Sequence, residues 1–138
     1  MLRHLSVLKI LLLCCFATSG CFVHTVQEGR GIWVVRYQLS SPNVLDQIVE
    51  DAHKGKFNLL FVQVHGRGDA YYRSHIVPRS EVLAETPPDY DPLDHVLQQG
   101  HAEGLQVHAW LNVFYVWPYP PPYPLAREHV VNSHPEWL

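Results

Sequence analysis

The run Leu105-Gln-Val-His-Ala-Trp-Leu-Asn-Val113 restricts this chain more than any other segment, because its polar side chains fall on alternate positions of an otherwise apolar stretch. In an extended strand successive side chains point to opposite faces, so His108, Trp110 and Asn112 share one face and Val107, Ala109 and Leu111 the other. Asn58-Leu-Leu-Phe-Val-Gln-Val-His65 repeats the pattern, with Leu60, Val62 and Val64 on one side and Phe61, Gln63 and His65 on the other. Both runs turn polar toward their C-terminal ends. A strand covered on both faces has no reason to carry His, Gln and Asn unless that face opens on a site.

Between and before these runs the chain alternates strand with helix. Ile32-Trp-Val-Val-Arg-Tyr37 reads as a first strand, dense in β-branched and aromatic residues, with Arg36 on it. Ser41-Pro42 then offers an N-cap and a first-turn proline, and Leu45, Ile48, Val49 and Ala52 mark the buried stripe of a helix that stops at Gly55. Asp91-Pro92 opens a second helix with Leu93, Val96 and Leu97 buried, and Gly104 ends it just before the third strand. That order predicts parallel βαβ units. The helix-to-strand links are short, whereas the link from the second strand to the second helix runs from Gly66 to Tyr90, a length usually reserved for functional or disordered loops. Long loops after strands and short ones before them are the layout of a TIM barrel. A doubly wound sheet shares it, but the Gly-x-Gly-x-x-Gly turn of a dinucleotide fold is missing. The expected class is therefore α/β, the N-terminal portion of a (β/α)8 TIM barrel with about three βα units, an incomplete barrel.

Composition bears on partners and compartment. At 17% charged residues and a formal net charge of -3, nothing favours nucleic acid or an electrostatic membrane patch. Residues 1–21 read as an export signal: Arg3 and Lys9 at the start, an apolar core from Ile10 to Ala17, and the small residues Ala17-Thr-Ser-Gly20. Ser19-Gly20-Cys21 resembles the end of a bacterial lipobox, with Thr18 where Leu is usual, so the segment allows either lipidation of Cys21 or ordinary cleavage near Ser19 or Gly20. Membrane contact is expected only through such a lipid anchor. Cys14 and Cys15 would leave with the leader, and the one remaining cysteine can form no intramolecular disulfide.

Arg30-Gly-Ile-Trp33, Phe57-Asn58, Phe61-Val-Gln-Val64, the Gly68-Asp-Ala-Tyr-Tyr72 turn with Ser74 and Pro78, Asp91-Pro-Leu93, and His101 leading into Gly104-Leu-Gln-Val-His-Ala-Trp-Leu-Asn112 together resemble the glycosyl hydrolase-like 10 family. The resemblance runs from Arg30 to His134-Pro-Glu-Trp-Leu138, so a domain over residues 30–138, truncated at its C-terminus, follows the signal. It implies an exported protein of the bacterial cell envelope, often a lipoprotein, with a TIM-barrel domain that hydrolyses O-glycosidic bonds. The implied substrate is envelope polysaccharide, with peptidoglycan glycan strands as the family's characterised target. His65 departs from the Arg or Lys more usual at its position, which makes a charge there pH-dependent.

A closed barrel takes roughly 250 residues, and only about three strands precede Leu138. The expectation is an N-terminal piece of a longer reading frame, inactive by itself. Glycosidases need two carboxyl groups across the scissile bond, and the family's acidic motif follows the fourth strand. The catalytic residues are thus left unknown. Asp69 is the lone carboxylate near a strand end, better suited to fixing its loop or binding a sugar hydroxyl than to catalysis.

The substrate-binding expectation rests on Arg36 from the first strand, Gln63 and His65 from the second with Asp69 beyond it, and His108, Trp110 and Asn112 from the third. The bland alternatives are that Gln63 and Asn112 satisfy each other or buried backbone groups and that Trp110 fills a core. Prolines in Phe114-Tyr-Val-Trp-Pro-Tyr-Pro-Pro-Pro-Tyr-Pro124 display Tyr119 and Tyr123, either toward sugar rings or as a stiff spacer. Arg67-Gly-Asp69 spells an adhesion tripeptide, a match short enough to arise by chance. His53, His95 and His101 fall on helices as solvated or packing residues. A metal reading of His65 and His108 lacks a third ligand, so no metal and no cofactor are expected. The rival function is a non-catalytic carbohydrate-binding envelope lipoprotein, because fold alone does not establish activity.

Overall fold

A computed structural model of the protein describes residues 28–118 and 125–137. The signal segment, Cys21, Tyr119 and Tyr123 lie outside the described residues. Three parallel strands, β1 (Gly31–Val34), β2 (Leu59–His65) and β3 (Gln106–Leu111), pair in sequential order. Helix α1 (Pro42–Lys54) connects β1 to β2 and α2 (Pro92–Ala102) connects β2 to β3, while α3 (Val130–Ser133) is a single turn beyond β3.

The helix limits follow from local chemistry. Both helices begin on a proline, whose fixed φ suits the first turn and whose missing N–H is no loss there. Asp91 caps α2, one carboxylate oxygen accepting from the Asp94 amide at 3.0 Å and the other from the Arg73 amide at 2.9 Å, so the cap also ties down the preceding loop. Beyond α2, Gly104 takes φ +74°, the left-handed turn that glycine adopts without strain. After α1 the left-handed residue is Lys56 at φ 60° rather than Gly55.

Packing is one-sided. Leu45, Val49 and Ala52 of α1 and Val96 of α2 cover Val34, Leu60, Val62, Val64 and Leu105, with Leu39, Tyr71 and Leu83 closing the upper end. Gly100 lets α2 lie against β3, since a Cβ there would sit 2.9 Å from a Val107 methyl. Both helices thus lie on one face of a sheet whose strands run in chain order, which matches the arrangement of a partial TIM-barrel-like unit.

Two expectations need correction, and a third, left open between a functional and a disordered loop, is narrowed. The first strand ends at Val34, not Tyr37: Arg36–Gln38 is a 3-10 turn, held by Gln38 N–H to Val35 O at 3.0 Å and by the Gln63 side chain, which accepts the Arg36 peptide N–H at 3.2 Å. In β3 the alternation survives, but of the face expected to be covered only Val107 packs against α2, at Gly100, while Ala109 and Leu111 are exposed. The Gly66–Tyr90 connection is well built rather than loose. Ala70 bridges both His65 and Arg79, and the Arg79 guanidinium donates to Tyr90 O at 2.8 Å, Pro87 O at 3.2 Å and Thr86 Oγ1 at 2.8 Å.

Candidate functional site

The sheet face away from the helices carries the chemistry. Strand register puts Trp33, Phe61 and His108 in one row across β1, β2 and β3. Trp33 stacks on Phe61 with centroids 4.7 Å apart, and Phe61 lies 5.3 Å from the His108 ring. Gln63 and Trp110 form the next row toward the C-terminal ends. Trp110 meets Trp33 edge-on at 5.0 Å, so the two indoles close across β2 from either side. His108 is therefore on the expected face but below the rim, two residues or about 6.6 Å deeper than Trp110 at the usual strand rise.

At the rim itself Arg36 and Gln63 act as a pair. Gln63 is only 3% exposed, and its Oε1 accepts both the Arg36 peptide N–H at 3.2 Å and the guanidinium Nη1 at 3.3 Å. A peptide N–H can only donate, so the amide orientation is determined: oxygen toward Arg36, NH2 away. The guanidinium also donates to the Tyr37 hydroxyl and lies 4.4 Å from that ring's centroid. Its stem crosses Gly66, where a Cβ would come within 2.5 Å of Arg36 Cδ. That close approach accounts for glycine directly after β2.

Asn112 completes the rim of β3, with both ends of its carboxamide engaged. Its oxygen accepts from Trp110 Nε1 at 3.0 Å and its nitrogen donates to Gly66 O at 3.3 Å. Gln63 and Asn112 thus do not satisfy each other. Asn112 orients Trp110 and ties β3 to the loop after β2.

His65 departs from simple alternation. Gln63 pairs with Trp110 but His65 with Leu111, a bulge that takes His65 out of strict phase with Gln63, in a position where bulges re-aim side chains. Its electrostatic neighbours are Asp69 and His129. Burial holds the imidazole below its ordinary value, Asp69 opposes that effect, and His129 adds to it, so the ring is neutral near pH 7.

Asp69 faces the protein, not the mouth. It is 4% exposed, with Oδ1 accepting the Arg67 amide at 2.9 Å, Oδ2 accepting the Ser80 hydroxyl at 2.6 Å, and the Arg67 guanidinium 3.9 Å away. Arg67-Gly-Asp69 is buried as a unit, which removes the adhesion reading. Beside it Tyr71 is fully buried, and burial pushes its phenol up to about 12.

Sequence reasoning missed Trp33 and a brace across the site. Trp33 sits in phase with Phe61, and the same period-2 reading applied to β1 would have found it. His129 is buried; its Nε2 donates to Arg67 O at 2.6 Å while Nδ1 accepts the Val131 amide at 3.3 Å. Its ring meets Trp117 edge-on at 5.4 Å, and the Arg67 guanidinium lies 4.0 Å from the Trp117 ring centroid. Nothing in the local pattern around His129 signals a partner 62 residues away. Among the described residues no three His, Cys, Asp or Glu side chains gather as metal ligands.

Two relatives share 30% identity with the chain. The glycosyl hydrolase YngK of Bacillus subtilis aligns over 96 residues, 67% of this chain and 19% of its own length. The glycosyl hydrolase DigH of Escherichia coli aligns over 112 residues, 65% of this chain and 26% of its own. The chain thus spans about a fifth to a quarter of the curated relatives it matches. The glycosyl hydrolase-like 10 family model matches residues 28–138. With the whole described region inside that match, the chain belongs to the glycosyl hydrolase-like 10 family.

Proposed function

We propose that this protein is a glycoside hydrolase-like protein of the bacterial cell envelope that acts on polysaccharide, with peptidoglycan glycan strands as its substrate. One observation carries the reading. Amide, guanidinium and indole groups on or just after consecutive parallel strands converge at one end of the sheet, beside stacked aromatic rings, in a chain of a glycosyl hydrolase-like family. Pyranose rings combine C–H faces that pack on aromatics with hydroxyls that seek such polar groups. In the proposal the sheet belongs to a closed (β/α)8 barrel, with the Trp33–Phe61–His108 row facing inward and Arg36, Gln63, His65 and Asn112 at its mouth. Export through the segment at residues 1–21, with or without lipidation of Cys21, delivers it to that substrate.

The described residues hold substrate and do not supply the acid–base pair. Glycoside cleavage needs two carboxyl groups, and Asp69 at the strand ends has both oxygens engaged. The rival reading is a glycan binder without turnover. Co-sedimentation of the protein with peptide-stripped glycan strands, followed by a count of new reducing ends, tests both. Binding is expected; new reducing ends from the full-length protein identify a hydrolase, and binding by the full-length protein without them a holder. A protein that stays in the supernatant at all strand concentrations refutes both.

A further inference from the structure

Arg36 stands apart among the arginines of the rim. The residue is half-buried, yet among the described residues no carboxylate lies within ion-pairing distance of its guanidinium. Arg67, by contrast, faces Asp69 at 3.9 Å. Of the five N–H donors on the Arg36 side chain two have partners among the described residues, both neutral oxygens, and Nε is buried with none among them. Removing a cation from water without an anion is costly. The arrangement is nonetheless built: Gly66 makes room for the stem and Tyr37 stacks beneath the guanidinium.

Gln63 adds a second donor of the same kind. Its oxygen is consumed by Arg36, and its NH2 has no partner among the described residues, while the residue as a whole is only 3% exposed. Asn112 and Asp69 are already engaged. What the β1–β2 end of the rim leaves unmet is therefore N–H donors beside one uncompensated positive charge.

We propose that Arg36 and Gln63 form a subsite for a carboxylate carried by the glycan. This rests on the glycan reading of the rim and names the chemical group it selects. A carboxylate accepts from a guanidinium and an amide at once and cancels the charge; a sugar hydroxyl does only the former. Acidic sugars supply such a group in two ways, as an ether-linked lactyl carboxylate or as a ring uronate.

The test titrates the protein with N-acetylmuramic acid and its methyl ester, and with glucuronic acid and its methyl ester, following the Gln63 side-chain amide and the Arg36 Nε–H by NMR. One acid of the two is expected to bind about tenfold or more tighter than its ester, the scale of a charge-assisted hydrogen bond, and whichever pair shows the difference identifies the source. Gln63→Glu places a carboxylate beside Arg36 within the protein. It is expected to hold or raise the thermal midpoint while bringing the acid down to the affinity of its ester, a combination that simple damage to the fold does not produce. Arg36→Lys keeps the charge without the fork and is expected to lose part of the preference. Equal binding of acid and ester in both pairs, or an acid preference that survives Gln63→Glu, overturns the subsite. If glycan strands still sediment the protein in that case, the glycan reading stands alone; if no strand or sugar binds, both fall.

Discussion

At the scale of single residues, the polar groups of the rim divide into those held and those offered. Asn112 and Asp69 are held, each with both polar ends bonded inside the protein. Gln63 is held at its oxygen and offered at its nitrogen. His65 is neutral because burial disfavours its charged form, with His129 adding to that effect against Asp69. The sign of the consequence follows from linkage: the unfolded chain binds a proton at the ordinary 6.5, the folded chain only below it, so stability is complete above that pH and is lost as pH falls through 6.5 toward the depressed value. Wild type should therefore lose more unfolding free energy than His65→Gln between about pH 7.5 and 5.5. Equal losses in the two proteins would contradict the assignment. Which face Gln63 occupies was legible from alternation. Which of its atoms is offered was not, because that depends on an arginine 27 residues earlier.

At the scale of elements, the sequence showed the two helices and the lie of β2 and β3 because those depend on local features: first-turn prolines, a glycine after α2, and a strict period of two. Where partners are distant, it was silent. The first strand looks extended to Tyr37 by composition, but the Gln63 side chain captures the Arg36 amide and the chain leaves the sheet. The bulge after Gln63 has no sequence signature either, since it reflects how β2 fits β3. Least legible was the brace in which His129 joins the segment after β3 to the loop after β2. His129→Ala removes the donor to Arg67 O and the acceptor for the Val131 amide, both buried or half-buried. Denaturant unfolding should register a loss of about 1–3 kcal/mol for it. Gly68→Ala should behave alike, because its φ of +76° is strained for any side chain and a Cβ would lie 3.0 Å from His129 Nε2. A His129→Ala protein as stable as wild type would show that the two loops are held by something else.

At the scale of the whole molecule, one face of the sheet is packed and the other is aromatic and open. Trp33 keeps 60% of its surface exposed even while stacked on Phe61 and in contact with Trp110. A sheet with helices on one side and a polar rim above aromatic rows on the other suits a barrel, in which that second face turns inward and the strand ends form the mouth. The fold class was legible as far as three parallel strands in order with helices between them, and the structure bears out that much. The most direct test of the central claim, that the C-terminal strand ends form a glycan-binding rim, is an NMR titration of the protein with peptide-stripped glycan oligomers. The account predicts shifts concentrated at the Gln63 side-chain amide, the His65 ring and Trp110 Nε1–H, with α1 and α2 unmoved. Shifts confined to the helices, or none at saturating glycan, would contradict it.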